Sequence, residues 1–229
     1  MLESKVTRRT SLIRFGGLLG ALLGVGGWKA AESDGSGPAS VASGLVSCVL
    51  TPEQTEGPYY LANEKLRSDI TEGRPGVPLL LRLTVVDAST CRPVKGAAVD
   101  IWHADALGVY SGFGSGSGNR TFMRGIQKTD ANGLARFRTV YPGWYQGRTV
   151  HIHVKVHVAG NVVHTGQLYF PDSLTDRVFR RSPYNRRGKR TTRNAKDFVF
   201  ANGGKRSMLL LRRSGAAYVA SITMGVHRS

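Results

Sequence analysis

The chain has 229 residues, enough for one sizeable domain and a leader. Its 29 glycines and 9 prolines, with few long apolar runs at helical spacing, favour short strands and turns over long helices. The net charge of +17 invites a nucleic-acid reading. No helix-turn-helix or zinc-finger spacing appears, however, and the basic stretch 177–196 carries only Phe179 and Tyr184 as interleaved aromatics. That stretch reads as a solvated or substrate-rim loop, and no nucleic-acid partner is predicted.

In chain order, Thr7-Arg8-Arg9-Thr10-Ser11-Leu12-Ile13 is a twin-arginine pattern, followed by a glycine-diluted apolar stretch from Phe15 to Trp28. That stretch is shorter than the roughly 20 residues a spanning helix takes. Residues 1–31 therefore read as an export signal. The expectation is delivery to the periplasm or beyond by the twin-arginine machinery, with a membrane-tethered form left open. Ala30-Ala31 and Ala42 both offer a cleavage point. Residues 32–47 are rich in Gly, Ser and Ala and read as a linker, so the folded domain is expected over 48–229. Cys48 and Cys91 are an even pair in an exported chain, which suggests a disulfide. Closing that loop would stabilise the fold by roughly 4 kcal/mol on the chain-entropy argument.

Strands are predicted at Leu79–Val86, Ala97–His103, Leu134–Val140 and Arg148–Val156, then at Val162–Phe170, Ser207–Leu211 and Ala217–Val226. Turns fall at Asp87–Pro93 and Asp130–Gly133, and a hairpin at Ala159-Gly160-Asn161. A Gly/Ser-rich loop spans 112–119. Short strands at this spacing predict an all-β antiparallel sandwich of immunoglobulin-like or transthyretin-like type, with few or no helices.

The chemistry concentrates in Val150-His151-Ile152-His153-Val154. Residues two apart on a strand share a face, so both imidazoles project the same way and can hold one metal ion. Two imidazoles suit zinc, copper, nickel or iron. Hard anionic oxygens would shift the choice to a trivalent ion, and Tyr110 and Tyr145 are candidate phenolates, because a highly charged ion can deprotonate a phenol. Two phenolates, a hydroxide and two imidazoles would neutralise Fe(III). No carboxylate lies near the histidines in sequence, which argues against the Fe(II) facial triad. Tyr141 competes with Tyr145 for the ligand role, whereas His103, His157, His164 and His227 read as packing or surface residues. If the hairpin loop has three residues, His153 faces Gln167; a two-residue loop turns Gln167 away unless a bulge intervenes.

Four segments together resemble the intradiol ring-cleaving dioxygenases: Thr51–Tyr60, Trp102–Tyr110, Thr139–His153 and Gln167–Phe170. The resemblance runs from Cys48 nearly to the end of the chain. It implies a β-sandwich holding Fe(III) through Tyr110, Tyr145, His151 and His153. Tyr110 would stay bound, while Tyr145 would leave as substrate arrives and take up a proton. It further implies that Arg148 stabilises negative charge on the substrate, that Gln167 is a polar pocket residue, and that Gly57 and Pro58 line the pocket. The implied partners are a small catechol and dioxygen, the product being a muconate-type diacid; a homo-oligomer is left open. The segment between Tyr145 and His151 is short, and Gly147 stands where some members place tryptophan, so the particular catechol is not set by these motifs. Two non-enzymatic alternatives are an exported module that binds a phenolic or polysaccharide polymer and a structural adhesion domain.

Overall fold

The computed structural model describes residues 48–62, 65–113 and 117–227. The expected export signal and linker lie outside them. Eight strands are described: β1 (Pro78–Asp87), β2 (Ala98–Trp102), β3 (Arg124–Lys128), β4 (Leu134–Val140), β5 (His151–Val158), β6 (Asn161–Tyr169), β7 (Leu210–Ser214) and β8 (Ala217–Val226). They form two four-stranded sheets, ordered β4-β1-β8-β7 and β3-β2-β5-β6. Every pairing is antiparallel except β1 with β8, which run parallel. The all-β sandwich predicted from strand spacing is thus the observed fold, with one parallel pair added.

Alternation explains the layering. Leu79, Leu81, Leu83 and Val85 of β1 point inward and are buried, while Leu80 and Arg82 point out. Ile152, Val154 and Val156 of β5 meet them from the second sheet in one continuous core, with Phe137, Tyr141 and Met224. Each such side chain contributes about 1.5–3 kcal/mol by leaving water. The other face of β5 is buried too, with His151 3% exposed and His153 1%. The chain entering β1 lies across that face: the Gln54 amide donates to Thr165 O at 2.9 Å, and Lys155 pairs with Glu56. A strand covered on both sides gives polar groups a dry setting.

Several sequence expectations are corrected. Strand β7 starts at Leu210 rather than Ser207, because Gly204–Ser207 winds into a tight helical turn. β3 was not predicted; Arg-Gly-Ile-Gln-Lys has one apolar residue in five and no alternation to read. Two short helices among the described residues were likewise unpredicted: α1 (Asp172–Val178), which buries Leu174 and Val178, and α2 (Phe198–Ala201). The basic stretch is not simply solvated. Arg190, only 5% exposed, pairs with Asp172 and Asp176, and Arg193 also pairs with Asp176. Cys48 and Cys91 are joined by a disulfide, as expected.

The β5–β6 hairpin closes through a two-residue turn, Ala159-Gly160, both at positive φ (51° and 85°), the geometry that matches strand twist. Asn161 already belongs to β6. His157 pairs with Val162, yet Val156 pairs with His164, so Val163 is an extra residue in a bulge. The bulge restores the register in which His153 faces Gln167.

Candidate active site

Strand β5 sets the centre of the site. His151 Nδ1 lies 2.6 Å from Thr149 O. A carbonyl only accepts, so Nδ1 carries the proton and Nε2 keeps a lone pair. The His153 ring stacks on Trp102 at 4.9 Å, nearly parallel. Gly57, at φ +73°, packs over its other edge, where a Cβ would sit 3.2 Å from His153 Cε1. The two Nε2 atoms face each other at 3.1 Å.

The phenols arrive from two loops at the same end of the second sheet. Tyr145 Oη lies 3.2 Å from His151 Nε2. Tyr110 is buried, its hydroxyl has no hydrogen-bond partner of ordinary geometry, and its ring meets Tyr145 edge-on at 5.6 Å and His153 at 6.2 Å. The Tyr110 loop is built on Asp105, whose carboxylate accepts from the amides of Leu107 and Val109 at 2.9 Å each and pairs with Arg74. Tyr59 stacks on Tyr110 at 4.4 Å and touches the edge of Tyr145. Tyr60 packs on Trp102 and receives the Lys155 ammonium on its face.

Arg148 closes a third side. Its Nε donates to Asp197 Oδ2 at 2.9 Å and its Nη2 to Gln167 Oε1 at 2.5 Å. Gln167 in turn donates to Thr55 O and accepts from Tyr169. Gln167 therefore lies in the site, but it is spent on holding Arg148. Pro58 is exposed beside Gly57.

Electrostatics follow from burial. Burial, helped by the Arg148 charge, pushes His151 down to about 3. Burial and His151 hold His153 well below the ordinary imidazole range. Both rings are thus neutral lone-pair donors. Burial and the neighbouring Tyr145 raise the Tyr110 phenol far above its usual value. Burial raises Tyr145 also, against the opposing pull of Arg148.

These residues fit a metal. Two ligand atoms about 2.1 Å from one ion on adjacent positions lie about 3 Å apart, which matches the N–N and O–N separations here. Among the described residues no three His, Cys, Asp or Glu side chains gather where they could hold a metal. The further donors beside the two imidazoles are phenols: Tyr145 at 3.2 Å from His151, and the buried hydroxyl of Tyr110. Phenols need a highly charged ion to ionise, so the donor chemistry points to a hard trivalent cation.

The four donor residues named from sequence come together, as do Arg148, Gln167 and Gly57. Tyr141 does not; it bonds Thr175 at 2.8 Å inside the sandwich. His103 bonds Ala104 O and Thr139 away from the donors. Sequence reasoning missed Asp197, which is fully buried and also caps α2 through the amides of Val199 and Phe200. The only available signal was an acidic residue just before Phe198-Val199-Phe200.

Comparison with known proteins fits this geometry. The family described as Dioxygenase matches residues 55–184. An intradiol ring-cleavage dioxygenase from Tetranychus urticae is 38% identical, with a TM-score of 0.75, covering 79% of this chain and 95% of that one. The dioxygenase domain of a dioxygenase–carbohydrate-binding fusion from Streptomyces sp. SirexAA-E is 32% identical, with a TM-score of 0.62, covering 79% and 99%. Catechol 1,2-dioxygenase 1 of Acinetobacter lwoffii is 37% identical over 101 residues, 42% of this chain and 32% of that protein. The chain thus spans about a third of the length of the first curated relatives it matches. Two buried imidazoles with two phenols beside them, set on a β-sandwich, define a candidate metal centre in a protein of the dioxygenase class. More particularly, the chain belongs to the intradiol ring-cleavage dioxygenase family.

Proposed function

We propose that this protein cleaves a catechol-type ring between its two hydroxylated carbons to a muconate-type diacid, with Fe(III) held by Tyr110, Tyr145, His151 and His153. The observation that carries the reading is the convergence of two neutral imidazoles and the Tyr145 phenol within about one hydrogen-bond length, with the buried Tyr110 ring against Tyr145 and His153 at 5.6 and 6.2 Å. A bound ferric ion would supply the Lewis acidity that ionises a catechol and the redox access that opens its ring to dioxygen.

The chain supplies the rest. Tyr145, whose oxygen lies beside His151 Nε2, is the phenolate that takes a catechol proton. Tyr110, stacked beneath Tyr59, stays in place. Arg148 presents a fixed positive charge to a dianionic substrate, held between Asp197 and Gln167. Trp102, Tyr59 and Tyr60 exclude water from the reacting face. The polymer-binding and adhesion readings leave the converging donors without a task.

The twin-arginine pattern supports export, and the Cys48–Cys91 disulfide suits an oxidising compartment. The deciding measurement is iron content with a visible spectrum, before and after anaerobic addition of catechols, followed by oxygen uptake. One iron per chain, a phenolate-to-iron band that shifts with catechol, and oxygen consumption are expected. Colourless protein after iron loading overturns the proposal.

A further inference from the structure

The basic stretch 177–196 has no role in the chemistry above, yet one of its residues reaches both phenol-bearing loops. Arg187 Nη1 donates to Leu107 O at 2.7 Å and to Trp144 O, and its guanidinium lies 4.3 Å over the Trp144 ring. Leu107 is three residues before Tyr110, and Trp144 immediately precedes Tyr145. The same two loops meet directly, where the Gly143 amide donates to Asp105 O at 2.9 Å. Gly108 and Gly143 permit that approach, since a Cβ at either would overlap the opposite loop.

Two carbonyl oxygens turned toward one point repel each other. A cation between them reverses the sign, and charge-assisted bonds of this kind are about twice as strong as neutral ones. A planar guanidinium can serve both carbonyls and stack on an indole at once, which an ammonium does less well. Arg187 is itself held at its base: its amide donates to Tyr184 O, and the Tyr184 hydroxyl donates to Tyr141 O in the core.

We infer that Arg187 is a positioning residue, bracketing the loops of Tyr110 and Tyr145 and so setting the separation of their phenol oxygens. Its bearing on iron rests on the proposed function; the bracket itself does not. Arg187 also lines a cavity of about 560 Å³ with Arg180, Lys189 and Arg193, through which a small cation can reach the place its side chain vacates.

The test uses the full chain as Arg187→Met and Arg187→Lys. In metal-free protein, amide hydrogen exchange should rise at least tenfold in 105–110 and 142–147 of Arg187→Met while β1 and β8 stay protected. After iron loading, its phenolate-to-iron band should shift and its iron content fall severalfold. Millimolar methylguanidinium should restore both properties and methylammonium should not; Arg187→Lys should fall between. Unchanged exchange in both loops overturns the inference, as does a uniform rise that includes β1 and β8. Wild-type protein that takes up no iron sinks the proposed function but leaves the exchange result to decide the bracket.

Discussion

Asp197 and Arg148 form a buried ion pair, with Oδ2 accepting from Nε at 2.9 Å while the same oxygen takes the Thr149 amide at 2.7 Å. Thr149 passes its own carbonyl to His151 Nδ1. One carboxylate therefore fixes the cation of the site and, one residue on, the tautomer of a proposed ligand. Removing one partner of a buried pair costs about 3–5 kcal/mol. Asp197→Ala is expected to lose that much in urea unfolding. Asp197→Asn, which keeps an oxygen for the α2 cap, is expected to lose less stability but to raise the KM for catechol. Equal stabilities of Asp197→Ala and wild type would refute the argument.

The same carboxylate has an acid signature. Burial raises its pKa, but the amides of Phe200 and Thr149 and the Arg148 guanidinium outweigh burial and hold it below its ordinary 3.8. A depressed pKa contributes stability above the unfolded value and loses it as pH falls through the folded one. The wild-type melting temperature should therefore fall more steeply than that of Asp197→Asn below about pH 4. Superimposable acid limbs for the two proteins would count against this.

Gly57→Ala tests the roof of the site. Alanine at φ +73° with its Cβ 3.2 Å from His153 Cε1 meets a backbone cost of about 1–2 kcal/mol and a push on the ring. Iron affinity is expected to drop about tenfold or more, a scale typical of disturbing a ligand's surroundings. Metal titration against a competing chelator reads it.

The disulfide joins residues 43 apart, for which the chain-entropy model gives roughly 4 kcal/mol. Cys48→Ser with Cys91→Ser should melt roughly 10 °C lower, at about 2–4 °C per kcal/mol for a domain of this size. Reductant should lower the wild type toward the double variant and leave the variant unmoved.

Export is tested apart from the fold. Arg8→Lys with Arg9→Lys should leave the protein in the cytoplasm of a twin-arginine-competent bacterium, as cell fractionation would reveal. Undiminished delivery of the double variant would remove the export proposal.

Most of the sandwich was legible because β1, β5 and β8 alternate against a core, and period-two reading also put His151 and His153 on one face. β3 stayed hidden, since its place is set by pairing with β2 rather than by its own residues. The proposed donors, with Arg148, Gln167 and Gly57, were readable through motifs; Asp197 and the bracketing Arg187 were not. Arg148 finds Asp197 49 residues away, and Arg187 finds Leu107 across 80. Such partnerships carry no local pattern, and basic residues that look alike in sequence divide into core-facing brackets and solvated ends only when the chain is folded.

The irregularity at Val163 means that this hairpin carries one dispensable residue. Excising Val163 would leave His164 against Val156 and Val162 against His157, an unbroken ladder with Gln167 still across from His153. Excising Thr165 or Gly166 would remove the surplus residue equally, with Val163 then against Val156, His164 against Lys155 and Gln167 again across from His153. One deletion from Val163 to Gly166 is thus absorbed, whereas a second turns Gln167 away from His153 and strips Arg148 of one of its two anchors, a contrast that a deletion scan would map directly onto oxygen uptake.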